Sequence, residues 1–145
     1  MVTKDFAELF ACLNARGVRA VIVGGYALAF HAKPRFTKDI DVFVEPTLEN
    51  ASRLMAALED FGFGGIGLTT EDFSAPGAIV QLGMPPNRVD LLTAIDGVTF
   101  ADAWAGRVAG SYGEHPVFYL GLEELRRNKR ASGRAQDLAD LETLG

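Results

Sequence analysis

Asp39 and Asp41 stand two residues apart in the run Asp39-Ile40-Asp41-Val42-Phe43-Val44. On a β-strand this spacing puts both carboxylates on one face, with Cβ atoms about 7 Å apart. Two ionised carboxylates that close repel each other, and a divalent cation between them removes the repulsion. Mg²⁺ suits the place because it takes oxygen ligands and keeps positions for water and substrate phosphates. Taken alone, Asp-x-Asp also fits a solvent-facing strand edge. Asp90 adds weight to the metal reading. It lies in Arg88-Val89-Asp90-Leu91-Leu92, a run suited to burial, where aspartate is a poor strand former and a buried carboxylate needs a partner. If the two strands are neighbours, three carboxylates can hold two divalent ions roughly 3.5–4 Å apart, the arrangement used for in-line phosphoryl chemistry. The plainer alternative is that Asp90 pairs with Arg88 or another cation.

Gly24-Gly25 follows the apolar run Val21-Ile22-Val23. A glycine pair after a buried strand lets the backbone approach a ligand, and the amides of the next helix can meet phosphate. Neither G-x-G-x-x-G nor G-x-x-x-x-G-K-[ST] is present, so this is not a dinucleotide fingerprint or a P-loop. Arg35, Thr37 and Lys38 lie just before the Asp pair. Arg35 and Lys38 are candidates for triphosphate contacts, with solvated loop charges as the alternative. The densest basic stretch is Arg126-Arg127-Asn128-Lys129-Arg130, followed by Arg134. Lys129 and Arg134 are candidates to guide an anionic substrate, and Asp137 is placed to hold the Arg134 guanidinium. The alternative is a solvated helix end.

The elements that must position these residues follow from periodicity. Phe6, Leu9, Phe10 and Leu13 predict a helix over 4–16, started by Thr3 and ended by Gly17. Val21–Val23 reads as a strand covered on both faces, and Tyr26–His31 as a short helix broken at Lys33-Pro34-Arg35. In the strand 39–44, Ile40, Val42 and Val44 point one way and Asp39, Asp41 and Phe43 the other. A helix over 47–60 carries Leu48, Ala51, Leu54, Met55 and Leu58 on its apolar face and stops at Gly62. Four glycines in 62–67 predict a loop. Strands at 78–82 and 88–92 form an antiparallel pair across a short connection. Phe100–Trp104 is a short helix, with both aromatics in the core, and Val117–Tyr119 is a last strand. Helices 122–130 and 134–144, separated near Gly133, complete the chain. This order implies an α/β (α+β) fold with a mixed central sheet flanked by helices. We read 1–145 as one domain, with the helices of 122–144 packed on the core.

The bulk composition agrees. The chain has 145 residues, of which 48% are apolar, enough to bury a core without disulfides or a structural metal. A net charge of -5 gives no global attraction to nucleic acid, so any such partner needs a local basic patch or a bound metal. Cys12 is the only cysteine, which excludes an internal disulfide and fits a reducing compartment. It lies on the first helix and reads as an inert thiol. His31 and His115 lack metal-ligand spacing and read as surface or helix-end residues. No leader pattern and no membrane-length apolar run is visible, so the expectation is a cytoplasmic protein without a membrane partner.

The runs from Val21 to Leu28 and from Pro34 to Val42, with Gln81 to Leu92 and Lys129 to Asp137, resemble the polymerase-β-type nucleotidyltransferase superfamily. The closest likeness is to small bacterial stand-alone nucleotidyltransferases, including those similar to the AbiEii toxin family. The resemblance implies Asp39 and Asp41 as metal ligands, Asp90 as third carboxylate and base, and Gly24 and Gly25 as the phosphate turn. It also implies Arg35, Thr37, Lys38, Lys129 and Arg134 near the nucleotide, with Mg²⁺ or Mn²⁺ as cofactor and an NTP as substrate. Where much of the superfamily has Gly-Ser, this chain has Gly25, so one hydroxyl donor is missing. It also has little room for the acceptor domain of larger members.

The expected function is transfer of a nucleoside monophosphate to a hydroxyl of an RNA end, a protein or a small molecule. The alternative is a weak or inactive relative that binds a partner protein in a toxin–antitoxin-like pair. Retention of three mutually repelling aspartates favours the enzyme. A nucleotide-sugar glycosyltransferase also uses Asp-x-Asp, but those domains are longer and give Gly24-Gly25 no role.

Overall fold

The computed structural model describes residues 4–32, 39–63, 67–83 and 88–144. In chain order the elements are α1 (Lys4–Ala15), β1 (Ala20–Val23), α2 (Gly24–His31), β2 (Ile40–Val44) and α3 (Leu48–Phe61). A 3₁₀ turn (Thr70–Phe73), β3 (Ile79–Leu82), β4 (Val89–Leu92) and α4 (Phe100–Ala105) follow. The chain continues through β5 (Val108–Tyr112), β6 (His115–Tyr119), α5 (Leu122–Ser132) and α6 (Ala135–Leu144). The six strands form one mixed sheet in the order β3-β4-β2-β1-β6-β5.

The sheet has a packed layer on each face, as the alternation along β2 requires. Ile40, Val42 and Val44 join Phe6, Leu9, Phe10 and Leu13 of α1 and Leu54 and Leu58 of α3. Phe43 packs on the other side with Val21, Val23, Ala27, Phe100 and Leu125. Each fully buried Leu or Phe of these layers contributes about 1.5–3 kcal/mol over an exposed one. Asp41 shares the second face with Phe43, two residues away on β2. The helical layer on that side leaves it facing a cleft instead of a core.

Helix ends follow the local chemistry. The Thr47 hydroxyl accepts from the Asn50 amide at the start of α3, and Gly62 closes that helix in the left-handed region. One expectation is corrected. Leu48 is 65% exposed and not part of the α3 apolar face. Asn50 is buried instead, because its side chain accepts from Arg19 N and donates to the Arg19 and Glu45 carbonyls, locking α3 to β1 and β2. β5 was not anticipated from the sequence. Its Arg107-Val108-Ala109-Gly110-Ser111 run is weakly patterned, and it becomes a strand by pairing with β6. Gly110 is required there, since a Cβ would press on the Tyr119 ring, itself stacked on Phe30 at 4.3 Å. The helix cap at Thr3, the break at Lys33-Pro34-Arg35 and part of the glycine-rich loop lie outside the described residues. No helix among the described residues is long and apolar enough to cross a membrane.

Candidate active site

β2 and β4 run parallel, and their register sets Asp41 directly opposite Asp90. Directly paired residues share a face, so both carboxylates look into the same space. β1 lies on the other side of β2, antiparallel, with Val23 opposite Asp41. The chain therefore leaves β1 beside Asp41, at Gly24. Gly24 has φ +65, and a Cβ there would overlap the Asp41 Oδ2. Only glycine meets both conditions, so this turn and Asp41 are built as a unit. α2 starts at Gly24 itself, two residues earlier than the sequence suggests.

The cleft has a volume of about 370 Å³ and is lined by Gly24, Gly25, Asp39, Asp41 and Asp90 on the sheet side. Its other wall carries Lys129, Arg134, Gln136, Asp137 and Asp140 of the C-terminal helical pair. The tail residues singled out from the sequence thus share one cleft with the three aspartates. Gly133, at φ +65, ends α5 and turns the chain so that α6 folds back. Lys129 is buried, with its ammonium 3.3 Å from Asp137 and 2.9 Å from Asp140. Arg134 Nε donates to Asp137 Oδ2 at 2.7 Å, while its side chain stays 78% exposed toward solvent. Asp137 is held below the usual carboxylate range, first by the Arg134 hydrogen bond and then by Lys129, against the opposing effect of burial. Arg127 lies apart from this group, with Asp102 at 3.4 Å.

The electrostatics of the sheet side differ. Burial, the facing Asp90 carboxylate, a hydrogen bond shared with it and the Asp39 charge together push Asp41 up to about 6. Arg88 acts against that rise. It donates from Nη2 to Asp39 Oδ2 at 2.7 Å and brings Nε to 3.2 Å from Asp90 Oδ1. Asp90 thus faces Asp41 across the strand pair and is also paired with Arg88, the plainer alternative named from the sequence. Among the described residues, no three His, Cys, Asp or Glu side chains stand grouped as a ready metal-ligand set. Of these carboxylates, the facing pair Asp41 and Asp90 could hold a divalent cation. Two half-buried carboxylates that raise each other's energy gain most from an added positive charge.

Arg35, Thr37 and Lys38 lie outside the described residues. Gln136 and Asp140 were not anticipated. Their signal is the helical spacing of Asp137 and Asp140 on α6, which lets both reach Lys129, while Gln136 donates to Asp140 at 2.8 Å. Away from the cleft, His31 Nε2 bonds the Leu120 carbonyl at 2.6 Å at the end of α2. His115 opens β6. Cys12 is half-buried against the α1 layer, with its thiol pushed up by burial.

No curated protein matches the chain. A family model does match residues 2–110, a span that includes the glycine turn and all three aspartates and stops before Lys129 and Arg134. The chain belongs to that family, described as "Nucleotidyl transferase of unknown function (DUF2204)".

Proposed function

We propose that this protein is a divalent-metal-dependent nucleotidyltransferase that moves a nucleoside monophosphate from an NTP to a hydroxyl acceptor. The carrying observation is the β2–β4 register, which faces Asp41 with Asp90 in a cleft whose opposite wall holds Lys129 and Arg134. Carboxylates on the sheet wall suit a metal ion, and Arg134 on the opposite wall, 78% exposed although it is paired with Asp137, suits an anionic group. Membership of a nucleotidyltransferase family supports the same reading. Within it, the Gly-Gly turn followed by Asp-x-Asp favours a polymerase-β-type, AbiEii-like site.

Asp41 and Asp90 would hold Mg²⁺ or Mn²⁺, with Asp39 at the edge of the pair. When bound, the ion offsets charge on the triphosphate and acidifies the acceptor hydroxyl. Asp90 takes the hydroxyl proton. The acceptor oxygen then bonds to the α-phosphorus, and the bond to pyrophosphate breaks with the electron pair leaving on pyrophosphate. Lys129 and Arg134 offset phosphate charge, Lys129 as a fixed point charge and Arg134 as a planar fork. The backbone amides at Gly24 and Gly25 approach the phosphates. The acceptor class is a hydroxyl of RNA, protein or a small molecule, and the single cysteine fits a cytoplasmic setting.

A melting assay with each NTP and Mn²⁺ tests this. Binding to the native state raises Tm by mass action, and EDTA or Asp90→Ala should abolish the rise. Arg134→Ala should weaken nucleotide binding by about tenfold, the loss of one charge-assisted contact, while Arg127→Ala changes little. If no NTP with either ion shifts the wild-type Tm, the proposal fails.

A further inference from the structure

Arg88 immediately precedes β4, and its backbone is fixed by the Ile40 amide, which donates to the Arg88 carbonyl at 3.1 Å. Its side chain is 32% exposed and lies over the carboxylates of the sheet wall. One guanidinium engages two of the three aspartates, Asp39 by a hydrogen bond and Asp90 by charge alone. The Arg88 Nε and Asp90 Oδ1 are both buried and, among the described residues, without a hydrogen-bond partner. The Asp90 contact thus neutralises charge without a hydrogen bond, and leaves two buried polar atoms that gain from a better-placed partner.

We propose that Arg88 is the resident counter-cation of this carboxylate group, and that a divalent ion must displace its side chain before Asp39 and Asp90 can serve as ligands. This rests on the metal-dependent reading above. A divalent ion held by Asp39 and Asp90 would compete with the guanidinium for the same two carboxylates. Displacement needs no backbone movement, because the Ile40 bond holds the main chain and only a long side chain swings toward solvent. The arrangement keeps the metal-free protein folded and lowers its metal affinity. Arg88 is a positioning residue that sets when the site forms.

The test is Mn²⁺ titration of the full chain by electron paramagnetic resonance, without nucleotide. It compares wild type, Arg88→Gln, Arg88→Lys and Asp41→Asn, with circular dichroism to check the fold. Arg88→Gln should bind Mn²⁺ about tenfold more tightly than wild type, the effect of removing one charge-assisted bond from the competing state. Arg88→Lys should fall between, since a single ammonium cannot bridge both carboxylates. A folded Arg88→Gln that binds Mn²⁺ no more tightly than wild type overturns the inference. If Arg88→Gln does not fold, Arg88→Lys decides by the same comparison. The two readings fail separately. Wild-type binding abolished by Asp41→Asn keeps the metal site whatever Arg88 does, whereas no Mn²⁺ binding by any form defeats both.

Discussion

Replacing Asp41 by asparagine should make the metal-free protein more stable at neutral pH, although it removes a central residue of the cleft. The Asp41 carboxyl is raised from its ordinary 3.8 to about 6, mainly by burial and then by Asp90 and Asp39. Below pH 4 it is protonated in both folded and unfolded chains, so it has no effect. Between pH 4 and 6 the folded chain keeps a proton that the unfolded chain has lost, so stability falls as pH rises. Above pH 6 the whole cost is present. A shift of about two units is worth up to about 3 kcal/mol, and partial exposure of the cleft lowers that to about 1–3 kcal/mol. Asparagine matches the shape, carries no charge and can donate to Asp90. In EDTA at pH 7.5, Asp41→Asn should therefore raise Tm by about 2–12 °C, at about 2–4 °C per kcal/mol for a chain of this size. The gain should shrink from pH 6 to pH 4 and vanish below. Urea denaturation at four pH values across that window measures it. A variant less stable than wild type at pH 7.5, by an amount that persists at pH 4, would mean that Asp41 serves a structural partner and would refute the reasoning.

Two further substitutions separate the cleft's parts. Gly24→Ala meets a left-handed backbone, costing about 1–2 kcal/mol, and a collision with Asp41 Oδ2; it should lower stability and remove the ion-dependent Tm rise. Gly25→Ala, at a position without positive φ, should cost less in both assays. Lys129→Met leaves Asp137 and Asp140 buried with one cation fewer, and should destabilise the fold by about 3–5 kcal/mol in urea denaturation.

The order of elements was legible in the sequence because it depends on local patterning. The α1 stripe of Phe6, Leu9, Phe10 and Leu13, the alternation along β2 and the glycine stops at Gly17, Gly62 and Gly133 all act over a few residues. β5 was not legible, since Val108-Ala109-Gly110-Ser111 carries little β preference of its own and is recruited by β6. Leu48 misled for a related reason: helical periodicity gives the facing side but not where the neighbouring layer ends. For the cleft, the sequence by itself determined which residue types were present: an Asp-x-Asp pair, a third aspartate in an apolar run, a glycine pair after a strand and a basic tail. Only the tertiary structure decided how they meet. The Asp41–Asp90 register comes from parallel hydrogen bonding between strands that are far apart in the chain. Arg88 is drawn to both Asp39 and Asp90 by the sum of charges on two strands. Lys129, read from the sequence as a candidate guide for an anionic substrate, is buried against two aspartates of the next helix, a pairing its spacing did not announce. Such pairings depend on distances through space, and residue spacing carries that information only within a single helix or strand.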